Sequence, residues 1–128
     1  MSKTIVKCNK APGAVGPYSQ AVILDGWLWT SGQVALDPAT GKLDGTDAAT
    51  QADRALRNVK AILKEAGSGM GQVVRVTVYL TSMDDFAAVN EVYARYFDEP
   101  YPARACVAVS ALPVGAMVEI DAVARLDG

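Results

Sequence analysis

The tightest constraint on this chain lies in one late stretch, Tyr101 to Ile120, where a permanently charged fork is set into an apolar strand. Ala103 to Val109 is short, apolar and β-branched towards its end, and Arg104 interrupts it between Ala103 and Ala105. A guanidinium taken out of water needs a partner, because an unpaired buried charge is strongly disfavoured. The next apolar run, Val118 to Arg125, carries Glu119 near its start. Leu112 to Ala116 is a short Pro/Gly loop between the two, and consecutive strands joined this way commonly lie side by side. The expectation is that Arg104 and Glu119 reach one pocket from neighbouring strands, and the chemistry is placed there.

Composition narrows that chemistry by what is missing. The 128 residues contain no histidine, which removes Ser-His-Asp and Cys-His catalysis and the commonest transition-metal ligand. Cys8 and Cys106 stand apart with no CxxC spacing, as free thiols of a reducing compartment do. With 51% hydrophobic and 20% charged residues the chain is built to fold around a core, and its length predicts one domain over residues 1–128. A net charge of −2, without a basic run, argues against a nucleic acid or an anionic membrane as partner. No apolar run approaches the about 18 residues of a membrane span, and no apolar segment follows the lysines of the N-terminus as in a signal peptide. A cytoplasmic address is the expectation.

Read in order, the chain predicts β-β-β-α-β-α-β-β. Ile5 and Val6 begin a short strand, and the Pro/Gly-rich loop Ala11 to Pro17 delivers Tyr18, Ser19 and Gln20. Ala21 to Leu24 and Trp27 to Val34 flank Asp25-Gly26, a tight hairpin signal. Asp47 or Thr46 caps a helix from about Ala48 to Ala66, with Ala52, Ala55, Leu56, Val59, Ile62, Leu63 and Ala66 on one stripe. Arg54, Arg57, Lys60, Lys64 and Glu65 fall on its solvated side, and Gly67 ends it. Gly67 to Gly71 follows a helix and precedes a strand, the reverse of a dinucleotide loop, and is a flexible connection. Val73 to Leu80 is a strand with Val74, Val76, Val78 and Leu80 on one face. Ser82 opens a second helix running to about Phe97, with Phe86, Val89, Asn90, Tyr93 and Phe97 facing inward. Two helices cover one face of about six strands, so further copies of the chain are expected on the apolar remainder of the other.

Several segments together carry a resemblance: G-P-Y-S-Q at 16–20, T-S-G-Q at 30–33, N-V-K at 58–60, D-F-A-x-V-N-x-V-Y at 85–93 and P-A-R-A-C-V-A-V-S-A-L-P-x-x-x-x-V-E-I at 102–120. In this order they resemble the RidA/YjgF family of reactive-intermediate deaminases. The resemblance implies an α/β (α+β), chorismate-mutase-like fold and a homotrimer with sites at subunit clefts. It implies hydrolysis of enamine/imine acids such as 2-aminoacrylate, released by pyridoxal-phosphate enzymes, to 2-keto acids and ammonia, without metal or organic cofactor. By motif, the family's functional positions fall on Tyr18, Ser31, Asn90, Arg104, Cys106 and Glu119. The short loop Asp98-Glu99-Pro100-Tyr101 before the last motif bears on pocket shape and so on the exact substrate.

Each position also has a plainer reading. Arg104 offers a planar fork for a substrate carboxylate, or only an ion pair with Glu119. Glu119 orients and deprotonates a water, or is an exposed strand-edge carboxylate. Tyr18 touches substrate or is an amphipathic surface residue. Ser31 steadies substrate or caps a strand end, and Asn90 binds substrate or ties down a loop. Cys106 is expected to matter through its backbone, its sulfur being a small core group. Alternatives within and outside catalysis are a relative acting on a larger imine, of the 2-aminomuconate type, and a non-catalytic, chaperone-like trimer that holds small carboxylates.

Overall fold

A computed structural model describes residues 2–126. Its elements run β1 (Thr4–Val6), β2 (Ala21–Leu24), β3 (Trp27–Thr30), α1 (Ala48–Glu65), β4 (Val73–Leu80), α2 (Phe86–Ala94), β5 (Ala103–Ala108) and β6 (Val118–Arg125), with short 3₁₀ turns between some of them. This is the expected order. The Asp25-Gly26 turn has positive φ at both residues, 54° and 80°, the backbone of a tight hairpin. Asp47 caps α1 by accepting from the Thr50 amide at 2.7 Å, and Gly67, at φ 86°, closes it.

The strands form one six-stranded mixed sheet in the order β1-β2-β3-β6-β4-β5. Here the expected neighbourhood of β5 and β6 fails. β6 runs antiparallel to both β3 and β4, whereas β5 pairs with β4 alone, in parallel, at the end of the sheet. The physical reason is α2: a helical crossover returns the chain beside the strand that preceded it, so β4-α2-β5 closes as a parallel unit. β6 then turns back into the gap between β3 and β4.

Both helices cover one face. Leu56, Val59, Ile62 and Leu63 of α1 are fully buried with Leu28, Val76, Leu80, Val118, Ile120 and Ala124 of the sheet in one core. Burying each such aliphatic side chain is worth about 1.5–3 kcal/mol, so this seam is the fold's main support. The opposite face carries a row running across the strands in register: Ile5, Val22, Trp29 and Val123. Trp29 is 54% exposed on it, an apolar surface of the kind another copy would cover.

Three local expectations change. The ladder shifts register between Val73 and Arg75, so Val73 turns into the core and Val74 is left exposed. β3 ends at Thr30, because the Ser31 amide bonds to the Gln20 carbonyl and only Gln33 returns to the ladder, exchanging two hydrogen bonds with Ile120. The second helix spans only Phe86–Ala94, after a 3₁₀ turn capped by Ser82. Among the described residues no helix is long and apolar enough to cross a membrane.

Candidate active site

Pairing places Arg104 beside Val76, which points into the core, so Arg104 rises on the helix-covered face at the rim of the sheet. It is exposed there, contrary to the buried setting that an apolar strand suggested, because β5 is an edge strand and α2 stops short of covering it. Three residues of α2 receive it. Its Nη1 donates to Asn90 Oδ1 at 2.6 Å, and its guanidinium carbon lies 4.7 Å from the Tyr93 ring centroid and 5.6 Å from that of Phe86. The amide fixes one edge of the fork and the rings one face, and among the described residues the remaining N–H groups have no partner, an arrangement open to an anion. Asn90 is thus exposed and functional-looking, not the inward amide its helical spacing suggested. A cavity of about 460 Å³ opens beside it, lined by Asn90, Tyr93, Tyr101, Pro102 and Arg104.

Cys106, two residues along β5, shares the face of Arg104 and packs against the core. Burial pushes its thiol up and the neighbouring guanidinium only partly offsets this, so the sulfur stays protonated and is a poor nucleophile at neutral pH.

Glu119 lies across the sheet. Val118 and Ile120 on either side of it point into the core, so its carboxylate stands on the opposite face, paired with Tyr79. A further cavity of about 540 Å³ collects Glu119 with Tyr18, Ser31, Gly32 and the Pro113-Val114 turn. Within one chain Arg104 and Glu119 therefore share no pocket: they sit on opposite faces with β4 between their strands, a lateral offset of two strand spacings, roughly 10 Å. The expectation of a single pocket fed by adjacent strands is corrected accordingly. Burial first, and the negative charge of Asp121 second, hold the Glu119 carboxyl above its ordinary value of 4.5. Asp121 is itself raised by burial, against the opposing hydrogen bond from the Tyr79 hydroxyl at 3.1 Å.

Tyr18 is 51% exposed at the mouth of the Glu119 cavity, its hydroxyl accepting from the Val15 amide at 3.3 Å. Ser31 donates to the Ser19 carbonyl, so its hydroxyl ties the end of β3 to the loop that carries Tyr18. Two groups escaped the sequence reading as parts of this site. Gln20 is buried and clamps that loop, donating to the carbonyls of Cys8 (3.0 Å) and Pro12 (2.8 Å) while accepting from the Cys8 amide (2.7 Å). Gly32 leaves room for the carboxylate: a Cβ there would lie 2.7 Å from Cδ of Glu119. Both stand in the quoted motifs at 16–20 and 30–33, which is the only signal that marked them. Among the described residues no group of three or more His, Cys, Asp or Glu side chains is placed to hold a metal ion.

The comparisons with known proteins agree with this architecture. The family model described as "Endoribonuclease L-PSP" matches residues 8–126. A RutC family protein, y4sK, of Sinorhizobium fredii is 50% identical over 94% of this chain and 96% of its own. The human 2-iminobutanoate/2-iminopropanoate deaminase is 47% identical over 95% of this chain and 89% of its own. The crystal structure of YyfA, a Rid-family protein from Yersinia pestis, superposes with a TM-score of 0.95 at 40% identity, covering 98% of this chain and 100% of that one. With its motifs in order, its sheet and its two helices matched end to end, this chain belongs to the endoribonuclease L-PSP family, the RidA/YjgF family.

Proposed function

We propose that this protein hydrolyses enamine/imine acids of the 2-aminoacrylate and 2-iminopropanoate type, released by pyridoxal-phosphate enzymes, to 2-keto acids and ammonia. The active site is completed between copies of the chain. The observation that carries this reading is the division of labour across the sheet. An oriented arginine fork lies on one surface, and an elevated carboxylate in a cavity lies on the other. Neither half does the chemistry alone. Contact of one surface with a different surface of the next copy is a heterologous arrangement, which forms a ring where the rotation between copies closes. Three copies is the number the family resemblance implies, and the apolar row through Trp29 is a surface such contacts would bury. The name of the human relative supports the reaction class.

In the completed site Arg104 grips the substrate carboxylate in two parallel hydrogen bonds, its edge and face held by Asn90 and Tyr93. An enamine first gains a proton at C3 and loses one from nitrogen, giving the imine. Glu119 of the neighbouring copy takes a proton from a water as its oxygen bonds to C2, and the C=N electron pair moves to nitrogen. Glu119 returns that proton to the nitrogen, giving the neutral carbinolamine, and then carries the hydroxyl proton to the same nitrogen as the C2–N bond breaks, releasing the keto acid and ammonia. A carboxyl held above its usual range suits both halves of this exchange. Because such imines hydrolyse readily, positioning and one base suffice.

Mixing two silent variants tests the reading. Arg104→Ala and Glu119→Gln each abolish keto-acid formation from imine generated by a threonine dehydratase, and Arg104→Lys remains severely impaired. Subunit exchange between the first two restores activity, because some interfaces then unite an intact fork with an intact carboxylate. Mixed oligomers seen by native mass spectrometry without any recovery, or an active Arg104→Ala protein, would overturn it.

A further inference from the structure

We infer that a basic cleft on the outer side of α1 is a binding site for a multiply charged phosphate-bearing small anion. The cleft encloses about 670 Å³ and lies between α1, the segment after β1 and the residues following α2. None of Tyr18, Ser31, Asn90, Arg104, Cys106 or Glu119 lines it. Five cationic side chains do, Lys10, Arg54, Arg57, Lys60 and Lys64, against one carboxylate, Glu65. That excess is local, since the chain as a whole carries −2.

Arg54 is the second observation. The helical pattern placed it on the solvated side of α1, yet it is only 9% exposed. Both hydrogen bonds it makes, from Nε at 3.2 Å and Nη2 at 2.8 Å, go to the neutral Oδ1 of Asn58. Asn58 is itself wholly buried and pinned by donating to the carbonyls of Val34 and Leu36. Among the described residues Nη1 has no protein partner and is not a sealed, unsatisfied atom, so it is open to solvent, and Arg54 is one of the residues lining the cleft. A buried guanidinium held by a neutral amide retains its full charge and unused donors, an arrangement suited to an anion in the cavity. Arg57, Lys60 and Lys64 are exposed and succeed one another along the same helix, bringing mobile charges to a ligand fixed at Arg54. A single carboxylate would not neutralise this set, whereas a di- or triphosphate would. α1 covers the face opposite the apolar row, so burial of that row leaves the cleft open.

Isothermal titration of the intact oligomer with inorganic tripolyphosphate tests this, with sulfate at equal ionic strength as control. Saturable binding at one site per chain is expected, at least tenfold tighter than sulfate. A nucleoside triphosphate titrated alongside separates the sources of such a group: tighter binding makes the carrier a nucleotide, equal binding makes the phosphate chain sufficient. Lys60→Glu/Lys64→Glu, two exposed positions, weakens tripolyphosphate at least tenfold while imine hydrolysis stays unchanged. Arg54→Gln weakens it likewise. Affinity equal to sulfate, or unaltered by the Lys60/Lys64 reversal, overturns the inference. So does single-stranded RNA binding through the same lysines more tightly than every small phosphate, since the occupant would then be a nucleic acid.

Discussion

Gly32→Ala is the sharpest probe of whether the Glu119 cavity is shaped for catalysis. The added methyl would lie 2.7 Å from Cδ, 2.8 Å from Oε1 and 3.0 Å from Cγ of Glu119. Non-bonded carbon atoms are most comfortable about 3.5–4.0 Å apart, so the carboxylate must withdraw by roughly 1 Å. The obstructing atoms are the free end of a flexible side chain, and Gly32 does not have the positive φ that would strain an alanine. The fold therefore absorbs the change, with a stability loss of about 1 kcal/mol or less. Catalysis does not, because a misplacement of about 1 Å costs on the order of 100-fold, equivalent to ~2.7 kcal/mol in the barrier. The assay is kcat/KM for imine hydrolysis in the dehydratase-coupled system, with urea unfolding on the same preparations. A kcat/KM within twofold of wild type in a folded Gly32→Ala protein would refute the argument. A collapse of stability with the activity loss would refute its claim that the methyl displaces only a side-chain end.

Cys106→Ala should keep most of its kcat, since the thiol is held protonated; loss of turnover without loss of stability would give the sulfur a chemical role. Glu119 acts as a base only when ionised, so activity falls as pH drops through its elevated pKa. Asp121→Asn removes one cause of that elevation and should shift the acid limb of the kcat profile to lower pH, with an unmoved limb counting against Glu119 as the base. Asn58→Ala strips a donor from the buried Val34 carbonyl and another from the part-buried Leu36 carbonyl, and the acceptor from Arg54, and should cost at least about 2 kcal/mol in urea unfolding. A smaller loss would mean that water replaces the amide.

Local patterning made the elements legible before their arrangement. The stripe from Ala52 to Leu63, the Asp25-Gly26 turn and Gly67 describe interactions within a few residues, and they stand nearly where expected. Strand adjacency depends on what lies over the sheet. Nothing in Leu112 to Ala116 reveals that α2 brings β5 back beside β4 and excludes β6 from that edge. The same non-local cause separates Arg104 from Glu119 and exposes Asn90. Residue types at the site were readable from motifs, but the side of the sheet each occupies was not, because alternation is meaningful only once the strand's neighbours are known. Arg54 fails for the opposite reason: its helical angle is unremarkable, and its burial comes from packing around Asn58 and the neighbouring chain segments.

The position of β5 at the end of the sheet has a consequence for handling the protein. Along its outer side, among the described residues, alternate residues of its six present N–H and C=O groups with no strand beside them. Exposed ladders of this kind are templates to which other extended chains add. A lone subunit is thus a sticky species even while fully folded. Substitutions that loosen the contact between copies should first reveal themselves as turbidity on concentration, well before unfolding is detected.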